Sequence, residues 1–260
     1  MRAIFDIGAF NGLDGLLLSI FNKKTKIYAF EPNPFLMETI KKNKKTLEKK
    51  LKFKINNYEL IPKIVSDKNG KLNFFITKNY STSSILEPKK KLDEYWVKNS
   101  EKSIRDVANF LKIEKKILAQ SLRLDNFCHS RGINQILYIH CDTQGNDLKV
   151  LNGLGRYRKK VYKGVIEIAP NKKLSLYKNS GNIIELKKKF KTWKYKILKI
   201  KEFHKKNPEW DVYFINENFK RTITLNLPTE KQKRVISRLL VKKLRFKDFL
   251  YINFIKMFKI

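Results

Sequence analysis

Residues 2–12 read Arg2-Ala-Ile-Phe-Asp6-Ile-Gly8-Ala-Phe-Asn-Gly12, and residues 26–31 read Lys26-Ile-Tyr-Ala-Phe-Glu31. The first stretch is a short apolar strand running into a turn bounded by glycines. Gly8 and Gly12 permit a tight turn and let the backbone approach a ligand without a Cβ in the way. Leu13 to Phe21 then carries an apolar helical pattern, and Lys26 to Phe30 is a second short strand closed by Glu31. Strand, glycine turn, helix and strand together predict a parallel α/β sheet with a nucleoside cofactor at the first turn. Glu31 stands 19 positions after Gly12, where a carboxylate can accept hydrogen bonds from both hydroxyls of a ribose.

The spacing also discriminates between cofactors. A dinucleotide asks for G-x-G-x-x-G, with its pyrophosphate at the helix N-terminus. This turn is instead Gly8-x-x-x-Gly12, with Asp6 two residues ahead of the first glycine. A fixed carboxylate there repels a pyrophosphate and attracts a cationic amino-acid moiety. S-adenosylmethionine carries an α-ammonium, a sulfonium and a ribose, so it matches Asp6 and Glu31 better than NAD does.

Beyond this unit, a helix is expected over 35–50, with Leu36, Met37, Ile40 and Leu47 on its apolar face. A strand is expected at Ile61 to Val65, followed by a hairpin-type turn at Asn69-Gly70 into a strand from Lys71 to Thr77. Residues 101–120 look helical. A buried strand over 136–142 ends at Asp142, and a helix from Asn146 to Leu154 is closed by Gly155. Then come a strand from Val161 to Ile168, a helix over 183–193, and a closing β pair at 195–203 and 211–216. Tyr80 to Ser84 is a polar loop, a candidate lid or acceptor-binding loop by position. With no repeat and no Gly/Ser linker, residues 1–220 read as one domain.

Net charge is +34, from 58 Lys and Arg against 24 Asp and Glu, yet it is unevenly spread. Residues 1–38 are neutral overall, 136–155 carry −1, and 221–260 carry +9. The two near-neutral islands are where the chemistry is expected; most other excess is Lys on solvated helix faces. With 42% hydrophobic residues the chain is too apolar for a disordered basic tail. Two Cys and three His exclude a disulfide framework and a multi-site zinc protein, and no metal is expected. Cys128 and Cys141 read as reduced thiols in a cytoplasmic protein. Asp6 precedes any apolar signal-peptide core, and no apolar run reaches the ~18–20 residues of a membrane span.

Five motifs in order carry a family resemblance. They are Asp6-Ile-Gly-Ala-x-x-Gly12, Tyr28-Ala-Phe-Glu31-Pro-Asn-Pro34, Ile64-Val-Ser66-Asp67-Lys-Asn-Gly70, Leu122-Arg-Leu-Asp125, and Ile139-His-Cys-Asp142-Thr-Gln-Gly145-Asn-Asp147-Leu-Lys-Val-Leu151. Together they resemble the FkbM family of S-adenosylmethionine-dependent methyltransferases over residues 2–216. The resemblance implies a class I methyltransferase fold, a Rossmann-like three-layer sandwich with a mostly parallel seven-stranded sheet and an antiparallel last strand. It implies that Asp6, Gly8 and Gly12, with Ala9 and Asn11 in the same turn, surround the methionine end of the cofactor. Glu31 would hold the ribose, Ser66 and Asp67 would lie beside the adenine, and Asp142 would sit near the transferred methyl. The chain departs from the family pattern at Phe10, where Asn is usual, and at His140 and Gln144, where Lys and Glu are common.

Methyl transfer to a hydroxyl is helped by positioning and by a base that takes the proton. The candidates are His140, Asp142 and Glu167; His140 has the intrinsic pKa suited to neutral pH, and strand alternation sets it on the face of Asp142. His129 and His204 read as surface residues, Cys141 as core, and Tyr95, Trp96 and Trp193 as packing. The expected function is O-methylation of a hydroxyl on a saccharide or small metabolite. Its rivals are an RNA methyltransferase using the basic surface and a cofactor-binding homologue without catalysis. Nucleic acid is the less favoured partner, since no RNA-binding module is added. Residues 221–260 form a basic amphipathic extension, with Val235, Ile236, Leu239, Leu240 and Leu244 at helical spacing before an apolar run from Phe249 to Phe258. Two readings of 230–260 stand open: docking on the parent domain or another subunit, and peripheral contact with an anionic inner membrane surface.

Overall fold

The computed structural model describes residues 1–90, 107–202, 209–219 and 223–241. Strands β1 (Arg2–Ile7), β2 (Lys26–Phe30) and β3 (Tyr58–Ile61) alternate with helices α1 (Leu13–Phe21) and α2 (Pro34–Leu51). Short strands β4 (Ile64–Val65), β5 (Gly70–Thr77) and β6 (Ile113–Leu122) follow, then α3 (Leu124–Ser130), β7 (Gln135–Cys141) and α4 (Asp147–Asn152). The chain continues with β8 (Val161–Ile168), α5 (Ile183–Trp193), β9 (Tyr195–Glu202), β10 (Trp210–Asn216) and α6 (Glu230–Leu240).

Seven strands form one sheet in the order β3-β2-β1-β7-β8-β10-β9. The first five in that order run parallel, and β10 enters antiparallel to both β8 and β9. Helices α1, α2 and α6 pack on one face, and α3, α4 and α5 on the other, giving three layers. The strand order reverses between β1 and β7, and an open α/β sheet binds ligands at such a switch point, beyond the carboxyl ends of the strands.

Local chemistry explains the elements that frame this point. Helix α1 is apolar on nearly every side, and Gly15 to Phe21 are all buried, as a helix covered all round requires. Helix α2 starts with Pro34 at its first position, and the Asn33 side chain accepts from the Phe35 N–H at 3.1 Å. Helix α6 opens with a capping box: the Thr229 hydroxyl accepts from the Gln232 N–H, and the Gln232 side chain accepts from the Thr229 N–H. Its apolar face, Val235, Ile236 and Leu239, is buried in the same core as α1 and α2. Leu244 and the run from Phe249 to Phe258 lie outside the described residues. No helix among the described residues is long and apolar enough to cross a membrane.

Three local expectations are corrected. The strand at 61–65 is two strands: β3 ends at Ile61, Pro62 offers no N–H to continue the ladder, and β4 joins a different sheet. Asn69-Gly70 makes no hairpin, because β4 and β5 both pair with β6, in the order β4-β6-β5. Residues 113–120 of the helix expected over 101–120 instead belong to Ile113–Leu122, the central strand of that small sheet. Ile117 and Ala119 of β6 turn inward with Leu72, Phe74 and Ile76 of β5, a period of two.

Candidate active site

The turn after β1 is held in left-handed conformations at Gly8 (φ +82°), Phe10 (φ +49°) and Gly12 (φ +78°). A Cβ on Gly8 would lie 1.8 Å from the Asp142 carbonyl oxygen, so the glycine seats this turn directly against the one after β7. The Gly8 and Ala9 N–H groups both donate to the Phe30 carbonyl at 3.0 Å. Glu31 is buried at the end of β2, where its two oxygens accept from the Phe10 N–H at 2.8 Å and the Asn33 N–H at 2.9 Å. Burial pushes its carboxyl up to about 7 against the pull of those donors, with Asp6 and Asp142 adding to the rise.

Asp6 is fully buried beneath the turn, and its Oδ1 lies 2.8 Å from His140 Nδ1 on the neighbouring strand β7. A Cβ on Gly15 would come 2.5 Å from Asp6 Oδ2, so α1 also closes over this carboxylate. Burial pulls the His140 imidazole down, but Asp14, Asp6 and Asp142 outweigh it and hold the ring at about 9. At neutral pH His140 is therefore a cation paired with Asp6. His140, expected as a candidate base, is thus engaged by Asp6 through Nδ1.

Past β7, Gln144 adopts φ +55° and bridges the two other candidates. Its amide nitrogen donates to Asp142 Oδ1 at 2.7 Å and to Glu167 Oε1 at 3.1 Å, while the Tyr177 hydroxyl lies 2.9 Å from its Oε1. Burial, with Asp142 next in size, pushes Glu167 well above the usual carboxylate range. Burial raises Asp142 too, against the pull of Gln144 and His140, and the two carboxyls titrate as a pair. A glutamate at position 144 would place a third carboxylate between these two; the amide instead donates to both. Asp147 fixes the same turn by accepting from the N–H groups of Thr143 and Gly145 at 2.9 and 3.1 Å.

Two clefts meet at Asp142, which lines both. The first encloses about 650 Å³ including its mouth and joins Gly8, Phe10, Glu31 and Gln144 to an apolar end made by Phe30, Val65, Phe74 and Ile85. Tyr80, Ser81 and Ser83 line it too, so the polar loop belongs to this cleft, with Tyr80 stacked on Phe35 at 5.7 Å. The second cleft encloses about 1080 Å³ over β7, β8 and β10, where His140 and Glu167 join Asp14, Asp211, Tyr213 and Lys233.

The structure therefore gathers Gly8, Glu31, His140, Asp142 and Glu167 around one point. Asp6 lies just beneath that point, not in a wall. Asn11 is spent on the turn, where its Oδ1 accepts from the Leu13 N–H, and Ala9 and Gly12 pack without lining either cleft. Ser66 and Asp67 face a separate groove, and Ser66 Oγ lies 3.4 Å from Asn146 Oδ1, beside the bond from Asn146 to the Val65 carbonyl. Trp193 packs on the core, and Cys141 is buried in it; Tyr95, Trp96 and His204 lie outside the described residues. Sequence reading missed the bridging role of Gln144 and the parts of Asp14, Asp211 and Lys233. Among the described residues no group of three or more His, Cys, Asp or Glu is placed to hold a metal.

A sheet of this order, with an acidic second-strand end and a carboxylate just past β7 at the switch point, defines a class I methyltransferase fold. The chain belongs to the methyltransferase FkbM domain family, whose model matches residues 6–221. It is 27% identical over 158 residues to the 2-O-methyltransferase NoeI of Sinorhizobium fredii, covering 58% of this chain and 56% of that protein. The solved methyltransferase FkbM of Methylobacillus flagellatus KT aligns with a TM-score of 0.50 at 12% identity, over 82% of this chain and 44% of that one. TrmK of M. capricolum, solved with S-adenosyl-homocysteine, aligns with a TM-score of 0.42 at 13% identity, over 99% of this chain and 91% of that one. The chain thus spans about half the length of NoeI and somewhat less of the solved FkbM protein.

Proposed function

We propose that this chain is an S-adenosylmethionine-dependent O-methyltransferase acting on a hydroxyl of a saccharide or small metabolite. The observation that carries the reading is the shared wall: Asp142 lines the first cleft beside Glu31 and the second cleft beside Glu167. The first cleft fits the cofactor by the chemistry of its lining. Each Glu31 oxygen keeps acceptor capacity beyond its one backbone N–H, enough for two ribose hydroxyls. The apolar end at Phe30, Val65, Phe74 and Ile85 suits a purine ring. When bound there, the cofactor supplies an electrophilic methyl on a sulfonium.

The chain's own residues supply position and a proton acceptor. His140 is paired with Asp6 and Glu167 is raised further than Asp142, so Asp142, the carboxylate that lines both clefts, is the candidate to take the proton of an acceptor hydroxyl. Gln144 holds that carboxylate in place, and His140, held by Asp6, lines the second cleft beside it. The 2-O-methyltransferase relative supports a hydroxyl acceptor. Carboxylates at Asp14, Asp142, Asp211 and Glu230 line the second cleft; they oppose a phosphate backbone and favour a neutral acceptor over RNA. Asp142→Asn tests the assignment. Transfer of tritiated methyl should fall by about 100-fold or more, while cofactor affinity by calorimetry stays within about threefold. Loss of cofactor binding alone, with turnover of the bound fraction intact, would remove Asp142 from the chemistry.

A further inference from the structure

The second cleft has a wall that the family match does not reach. The match ends at residue 221, yet Leu227, Pro228, Glu230 and Lys233 line the cleft together with Asp142 and Glu167. The segment is anchored for this position. Asn226 exchanges hydrogen bonds with Asn22 at the end of α1, and the apolar face of α6 is buried against α1 and α2. Lys233 Nζ lies 2.6 Å from Asp14 Oδ1, with each side chain about one-third exposed. An ammonium carries three N–H donors, and the ion pair with Asp14 engages one.

The rest of the cleft is built to the same pattern. Glu167 on β8, Asp211 on β10 and Lys201 on β9 stand side by side across the sheet, and Tyr213 pairs with Val165 one step away on the same face. Acidic side chains share the lining with His140, Lys201 and Lys233, so donors and acceptors are closely spaced, with the rings of Tyr138 and Tyr213 beside them. A neutral polyhydroxylated molecule satisfies both kinds of group, since each hydroxyl donates and accepts. A polyanion would face five acidic side chains, and an apolar molecule would strip water from every charge in the lining.

We propose that residues 227–233 form the acceptor-selecting wall of the enzyme, with Lys233 and Glu230 gripping a neutral polyhydroxylated acceptor whose reacting hydroxyl meets Asp142. The proposal rests on the reading of Asp142 as the point of transfer. It makes Lys233 more than a tether for α6, and that difference can be measured.

The probes are S-adenosylhomocysteine and a panel of methyl glycosides of neutral hexoses, pentoses and N-acetylhexosamines. Binding is read by saturation-transfer NMR and titration on the full chain loaded with S-adenosylhomocysteine. Wild type should bind at least one glycoside. Lys233→Met and Glu230→Gln should each weaken it by about tenfold or more, with S-adenosylhomocysteine affinity unchanged. The double variant Asp14→Lys with Lys233→Asp keeps the ion pair but moves the ammonium to α1. It should restore thermal stability and not glycoside binding. Should Lys233→Met fail to fold, Glu230→Gln, exposed at the start of α6, carries the same test. Full restoration by the double variant would reduce Lys233 to a tether and overturn the proposal. So would equal glycoside affinity in all variants, or a loaded wild type that binds no glycoside. A wild type that binds no S-adenosylhomocysteine would instead overturn the cofactor reading beneath it, and the wall with it.

Discussion

Asp6 and His140 lie 134 positions apart in the chain and 2.8 Å apart in the fold. Nothing in the spacing of either residue announces the pair; it exists because β1 and β7 are neighbours in register. Asp14, Asp6 and Asp142 together raise the imidazole from 6.5 to about 9 against burial, so the stabilisation is present in full below about pH 6.5 and is lost as pH rises through 9. Urea unfolding should show stability falling by about 2 kcal/mol between pH 7 and pH 9.5. In His140→Ala that decline should disappear, and Asp6 is left buried without its partner, at a cost of about 3 kcal/mol at pH 7. Glu31 behaves in the opposite sense as a ligand group. Its carboxyl sits at about 7 and, in the proposed cofactor site, offers both oxygens to the ribose as full acceptors only when ionised. Titration should therefore show cofactor affinity rising by about tenfold from pH 6 to pH 8, and Glu31→Gln should bind weakly with no such rise. Glu31 was legible from its place after Gly12, whereas Gln144 was read only as a departure from family habit. Its use as a bridge needs the distance to Glu167, 23 positions away.

At the scale of elements, the legible parts are those whose signal is local. The apolar run of α1, the Asn33-Pro34 start of α2 and the alternation in β10 each declare themselves within a dozen residues. Strand β6 does not: Ile113-Glu-Lys-Lys-Ile117 mixes apolar and charged residues in a way that suits either period. Only pairing with β5 settles it as a strand. The break at Pro62 sends the chain from one sheet to another, a change of partner that sequence periodicity does not encode. Helix α6 carries the clearest prediction at this scale. Ile236 is fully buried, so Ile236→Ala should cost about 3 kcal/mol, and Thr229→Ala about 1 kcal/mol through the lost cap. Thermal unfolding of the whole chain checks both. A detachable extension would show neither loss.

Across the whole molecule, the charge of +34 and the chemistry occupy different places. The clefts at the switch point are lined by carboxylates, while Lys-rich helix faces such as that of α2 are solvated. The fold puts a buried acid at the end of β2 and another carboxylate past β7, where the Gln144 amide donates to it. In the proposed function this arrangement serves a cationic methyl donor on one side of Asp142 and a hydroxyl on the other. Calorimetric titration of the full chain with S-adenosylmethionine tests whether the first cleft is the cofactor site. One site per chain is expected in the wild type, weakened by about tenfold or more in Glu31→Ala. No binding by the wild type, or equal binding by Glu31→Ala, would contradict it.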